Sequence, residues 1–199
     1  RILWENARPK YLNNTDPLYP CSADFMPDFV KPICYTYLTP HLFEVAGADL
    51  GQPTPDDFKK AFTYCDLLPD SDTVNRDACY SGFGKEFVVL AGVRDIRDIG
   101  SLNEDKLSLV HEWCALTDDK LGEGSCMVSA LRSLFWGGEN NPDASFTFCS
   151  IAPERLSSTC YGELTAAISF FVGDTPEQRA LCNRLPEPNR SVCLTRPAP

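Results

Sequence analysis

Histidine is scarce in this chain, which has only His41 and His111, and its ten cysteines include no Cys-x-x-Cys pair. Those two absences remove zinc ribbons, thioredoxin-type redox pairs and Cys-x-x-Cys-His haem attachment. They also leave too few imidazoles for a family of Cys/His zinc sites. No apolar run approaches the ~18 residues that a spanning helix needs. Phe87 to Val93 and Ala166 to Val172 are both too short, so no direct membrane insertion is expected. Basic residues are the minority, 18 Lys and Arg against 28 Asp and Glu, for a net charge of −10. That balance argues against nucleic acid or an anionic membrane surface as the main partner. Solubility is the simplest role for the acidity. With neither a methionine nor an apolar leader before Arg1, the sequence reads as a processed mature chain or a piece of a longer one.

What is abundant is cysteine. The ten fall into five successive pairs: Cys21 and Cys34, Cys65 and Cys79, Cys114 and Cys126, Cys149 and Cys160, Cys182 and Cys193. Gaps within pairs are ten to thirteen residues, and gaps between pairs are twenty-one to thirty-four. An even cysteine count with no metal spacing points to disulfides in an oxidising, extracytoplasmic compartment, whether secreted, cell-surface or periplasmic. The first cysteines recur at intervals of 44, 49, 35 and 33, in the range of helical-hairpin repeats.

Each pair sits in a similar frame. Cys34-Tyr35, Cys79-Tyr80 and Cys160-Tyr161 each lead through an apolar stretch to a glycine thirteen positions after the cysteine, at Gly47, Gly92 and Gly173. Cys126 leads in the same way through Leu131, Leu134, Phe135 and Trp136 to Gly137 and Gly138. A helix ending at a C-cap glycine fits this pattern. Start signals precede most first cysteines. Thr54-Pro55-Asp56-Asp57, Ser101-Leu102-Asn103-Glu104, Asn141-Pro142-Asp143 and Thr175-Pro176-Glu177-Gln178 each offer a capping side chain and first-turn acids, with Asp16-Pro17 a weaker version. Between the cysteines of each pair lies a helix breaker: Pro27 and Pro32, Pro69, Gly122 and Gly124, Pro153, or Pro186 and Pro188. Lys31, Arg76 and Arg190, each three before a second cysteine, read as solvated turn positions that bond carbonyls ending the previous helix.

The expected unit is therefore a capped helix A, a turn, and a more apolar helix B that lines the interior. The two cysteines meet at the closed end, and adjacent pairing is the simplest connectivity. Each closed loop stabilises by about 3 kcal/mol in the chain-entropy account, which offsets the ordering cost of helices too short to persist alone. Residues 1–16, Arg1 to Asp16, read as an N-terminal arm or cap containing Trp4 and Tyr11. Residues 17–199 read as a five-unit cysteine-paired helical repeat domain whose last unit lacks its apolar helix B. Residues 93–100 form the longest insertion between units. The fold class is all-α: disulfide-stapled helical hairpins stacked as a short α-solenoid or irregular helical array. In layout this resembles the cysteine-rich helical repeats of the Sel1-like and tetratricopeptide type, whose consensus residues are not present here.

The search for chemistry is mostly negative. His41 with Glu44, and His111 with Glu112, lack metal-site spacing. Ser81-Gly82-Phe83-Gly84-Lys85 lacks the glycine spacing of a phosphate loop, and Gly82 and Gly84 better suit close helix approach. The carboxylates Asp56, Asp57, Asp118, Asp119 and Glu123 show no linear pattern for an acid pair. No catalytic residue, metal ligand or cofactor is assigned. Asn13-Asn14-Thr15 and Asn189-Arg190-Ser191 match the N-glycosylation acceptor pattern. Tyr35, Tyr80 and Tyr161 read as packing residues. The sequence thus favours a non-enzymatic, extracytoplasmic protein-binding or structural subunit, with a protein or other subunits as partner. The alternative is a secreted hydrolase with carboxylates converging in a groove.

Overall fold

The computed structural model describes residues 15–92, 102–137, 142–172 and 175–195. Among these, every regular element is helical: nine α-helices, one short 3₁₀ turn and no strand. They are α1 (Lys31–Ala46), α2 (Pro55–Phe62), a 3₁₀ turn (Cys65–Leu67), α3 (Thr73–Ala91), α4 (Glu104–Cys114), α5 (Lys120–Gly137), α6 (Asp143–Ser150), α7 (Glu154–Phe171), α8 (Pro176–Cys182) and α9 (Asn189–Thr195). Most of the N-terminal arm, the 93–100 insertion, Gly138, Gly173 and the end beyond 195 lie outside the described residues.

Five disulfides join the ten cysteines: Cys21–Cys34, Cys65–Cys79, Cys114–Cys126, Cys149–Cys160 and Cys182–Cys193. Their Cα–Cα separations, 5.4 to 5.8 Å, are ordinary for the bond. Each bridge closes a turn between two segments, and its second cysteine lies in the first two turns of a helix. Oxidised cysteine in this number fits an oxidising compartment.

The helix ends follow the local chemistry. Thr54 and Asp57 form a reciprocal capping box at the start of α2, and Thr175 Oγ1 accepts from the Gln178 N–H at the start of α8 (3.1 Å). At α4 the cap is Asn103, whose Oδ1 accepts from the Lys106 N–H, and the expected box at Ser101 lies outside the described residues. At α6 the N-cap position is Pro142, with no side-chain cap bond. Gly47 ends α1 at φ 83°, where a side chain would be strained. The Gly47 and Ala48 N–H groups return to the Glu44 and Phe43 carbonyls in the Schellman pattern.

Four expectations need correction. Residues 15–21 form turns instead of a first helix A ending near Cys21. Gly122 and Gly124 lie inside α5, not in the turn before it. A Cβ on Gly122 would stand 2.8 Å from the Tyr80 ring, so this glycine is where the ring packs. The helix tolerates the roughly 1 kcal/mol propensity cost of each glycine. The last unit does carry a short second helix, the seven-residue α9 on α7 and α8, though without the apolar stretch that follows the second cysteine in the other units. Finally, α1 is interior along one face only: Tyr35, Leu38, Leu42 and Phe43 are buried, while Ile33 and Tyr37 are largely exposed.

The chain divides into two compact units. The first comprises Arg1–Glu86 and Glu112–Cys126. Its core is aromatic: the Phe43 ring lies 5.4 Å from both Phe58 and Phe83, Phe62 stacks on Phe83 at 4.1 Å, and Trp113 meets Phe58 edge-on at 5.2 Å. Within this unit α3 crosses α1 closely at Gly82. A Cβ there would lie 2.6 Å from the Thr36 carbonyl oxygen and also strike the Thr39 hydroxyl. Pro40, inside α1, has no N–H to give to that same Thr36 carbonyl. The Thr36 hydroxyl lies within reach of the Pro32 carbonyl (3.0 Å) and the Ala78 carbonyl (3.2 Å). The Lys60 ammonium donates to the Ala46 carbonyl at the end of α1 (2.8 Å). The second unit comprises Phe87–His111 and Met127–Pro199. It buries Leu107, Met127, Leu131, Leu134, Phe148, Leu164 and Ile168 completely.

Candidate functional site

The densest charged cluster forms around Arg76 in the first unit. Helix α3 starts at Thr73 because the Asp72 carboxylate accepts from the Asn75 N–H (3.3 Å) and side-chain amide (2.8 Å). That start places Arg76 one turn in, with its side chain only 9% exposed. The guanidinium donates to Asp70, Asp119 and the Leu68 carbonyl, and stands 3.9 Å from Asp66. One turn further, the buried Tyr80 hydroxyl donates to Asp66. Asp119 has a second role as N-cap of α5, accepting from the Leu121 (2.7 Å) and Gly122 (3.1 Å) N–H groups. Beside it, Ser125 Oγ donates to Asp77 (2.6 Å).

The electrostatics follow from these contacts. Burial pushes the Asp119 carboxyl up, but the Gly122 and Leu121 N–H groups and the Arg76 guanidinium outweigh it and hold the group below the usual range. Burial, with Asp66 and Asp119 nearby, drives the Tyr80 hydroxyl well above its ordinary value. Burial pushes the Tyr35 hydroxyl up to about 12. The cluster therefore holds an ionised carboxylate and a protonated phenol against one cation at neutral pH. A carboxylic proton donor needs the reverse, a pKa raised toward neutrality. Chemically, the arrangement works as a clamp beside the Cys65–Cys79 bridge.

Arg76 is thus buried and paired with carboxylates, not a solvated turn residue. Arg190 and Lys31 likewise bond carboxylates within their own turns, Glu187 and Asp28, each at 2.8 Å. Neither histidine is a surface residue. His41 is buried in α1. His111 is buried and stacked on the Phe148 ring at 3.8 Å, and its Nε2 lies 2.9 Å from the Phe148 carbonyl. A carbonyl only accepts, so Nε2 carries the proton. That carbonyl belongs to the last turn of α6, where helix geometry leaves it without a partner of its own. His111 therefore serves as a side-chain cap. Among the described residues, no set of three or more His, Cys, Asp and Glu side chains is placed to hold a metal ion.

The remaining expected residues are dispersed. Asp57 serves its capping box, Asp118 is exposed, and Glu123 lies in the first turn of α5. Ser81 to Lys85 are helical within α3, and the Lys85 ammonium sits 3.8 Å over the Tyr37 ring. Tyr161 is partly exposed. Asn13 lies outside the described residues, while Asn189 is the first residue of α9 and is half-buried.

A surface feature stands out instead. Phe25, Phe29, Ile33 and Tyr37 are 66, 83, 62 and 65% exposed. They recur every fourth residue, with Ile33 and Tyr37 on one face of α1 and Phe25 and Phe29 in the turns before it. The chain already turns helically at Pro27, whose carbonyl accepts from the Lys31 N–H (3.2 Å), so Phe29 is in phase with α1. Asp24 and Asp28 are exposed at the start of this ridge. Its fourfold spacing is plain in the sequence, but the cysteine frame puts Phe25, Phe29 and Ile33 in the turn between Cys21 and Cys34.

The chain matches no protein-family model, no curated protein and no solved structure.

Proposed function

We propose that the chain is a non-enzymatic, extracytoplasmic protein-binding or structural subunit of a larger assembly. The observation that carries this reading is the exposed apolar ridge Phe25–Phe29–Ile33–Tyr37. Scattered apolar residues are ordinary on a protein surface, but a row of four large ones, two on the exposed face of α1 and two in the turns before it, marks an interaction site. The disulfides support the extracytoplasmic setting. Among the described residues, no helix is long and apolar enough to cross a membrane. The repeated cysteine pairs support an array of hairpins of the solenoid or irregular kind, an architecture suited to broad binding surfaces. Native purification of the tagged chain from its source tests the reading. It should return a stable complex with another protein, and recovery of the free monomer alone would contradict it.

A further inference from the structure

The ridge that leads into α1 is bordered mainly by acidic residues at its N-terminal half, and that border selects its partner. The open middle of the ridge is Phe29 and Ile33, with Phe25 held edge-on to Tyr19 (6.2 Å) at one end and Tyr37 under Lys85 at the other. From Phe29 to Tyr37 the ridge runs about 12 Å, two turns of helix. That length matches the apolar seam of a short amphipathic helix presenting residues at i, i+3, i+4 and i+7. Among the described residues, the charges at the N-terminal half include Asp24, Asp28 and Asp72 around Lys31, which is bonded to Asp28. A docked segment there meets net negative charge.

We propose that the Phe25–Phe29–Ile33–Tyr37 ridge docks an amphipathic helical segment of a partner protein whose apolar seam is flanked by Lys or Arg that lie against Asp24 and Asp28. This rests on the protein-binding reading above and adds the chemistry of the partner. A second copy of the chain brings the same acidic border and a net charge of −10, so like charges oppose it. An anionic lipid surface is repelled on the same ground.

The test uses the full oxidised chain and three fluorescein-labelled peptides of about fourteen residues, near the length at which a helix becomes marginally stable. One carries leucines at helical spacing with lysines elsewhere, one carries the same leucines with glutamates, and one carries the lysines with the leucines changed to serine. Anisotropy should show the Lys/Leu peptide binding at least about tenfold more tightly than either control. Phe29→Ser with Ile33→Ser, and separately Phe29→Lys, should weaken it at least about tenfold at an unchanged thermal midpoint. Leu67→Ser, at an exposed leucine outside the ridge, should leave it unchanged. Asp24→Asn with Asp28→Asn should weaken it severalfold and flatten its salt dependence. Equal binding of the lysine and glutamate peptides, or indifference to the Phe29 variants, overturns the proposal. So does a concentration-dependent dimer abolished by Phe29→Lys, or tighter binding to phosphatidylcholine/phosphatidylglycerol vesicles than to the peptide. If the chain co-purifies with a protein that Phe29→Lys still captures, the binding function stands and this partner chemistry falls. Absence of both the peptide affinity and any co-purified protein removes both.

Discussion

Replacing Arg76 by methionine isolates the charge at the centre of the first unit. The side-chain stem and its packing remain, while the guanidinium and its donors are lost. Removing one partner of a buried ion pair costs about 3–5 kcal/mol when the other charge is left stranded. Asp119 is not fully stranded, since it is 24% exposed and keeps two backbone N–H bonds. Asp70 is 98% exposed and loses little. The Leu68 carbonyl loses a donor in a buried setting. The sum is about 2–3 kcal/mol, or a fall in thermal midpoint of about 5–10 °C at this chain length. Circular dichroism under non-reducing conditions reads it. In a double-mutant cycle, Arg76→Met with Asp119→Asn should cost at least about 1 kcal/mol less than the two single losses added. The pH dependence carries a sign as well. The Asp119 pKa is depressed in the fold, so its stabilisation is complete above the unfolded carboxylate value, about 3.9. It fades as pH falls through the lower folded value. The wild type's advantage over Arg76→Met should therefore shrink below about pH 4. A midpoint for Arg76→Met within about 2 °C of wild type, or an Asp70→Asn loss as large as that of Asp119→Asn, would refute the clamp.

Gly82→Ala should destabilise by about 1–3 kcal/mol, because the new Cβ meets the Thr36 carbonyl, which is backbone and cannot rotate away. Gly162→Ala, with open space around its Cβ, should instead stabilise by about 0.5–1 kcal/mol. The two midpoints moving in the same direction would contradict the close crossing at Gly82. His111→Phe should keep the ring stack on Phe148 but lose the bond to its carbonyl, at about 1–3 kcal/mol. Unchanged stability in urea unfolding would show that His111 does not cap α6.

Much of the local architecture was legible because it is chemistry within a few residues. Thr54-Pro55-Asp56-Asp57 announces a capping box, and Gly47 marks a C-cap. Helices and disulfides followed from cysteine spacing and breaker positions. What was hidden depends on contacts between segments. Gly122 looks like a breaker until the Tyr80 ring is placed against it. Arg76 looks like a turn cation until Asp70 and Asp119 close on it. Asp16-Pro17 looks like a weak helix start, yet residues 15–21 form turns, and Pro20 breaks any continuous ladder before Cys21. Phe25, Phe29 and Ile33 fall in the gap between Cys21 and Cys34, which Pro27 and Pro32 mark as a turn, and only their exposure reveals a ridge.

Bridges between neighbouring cysteines close the turns of the fold, with Phe25, Phe29 and Ile33 of the ridge inside the Cys21–Cys34 loop and the clamp beside Cys65–Cys79. Digesting the unreduced, alkylated protein and identifying the linked peptides by mass spectrometry tests it directly. Five linked pairs are expected, Cys21–Cys34, Cys65–Cys79, Cys114–Cys126, Cys149–Cys160 and Cys182–Cys193, with no alkylated thiol. A peptide joining cysteines of different pairs, or thiols alkylated without reductant, would contradict the account.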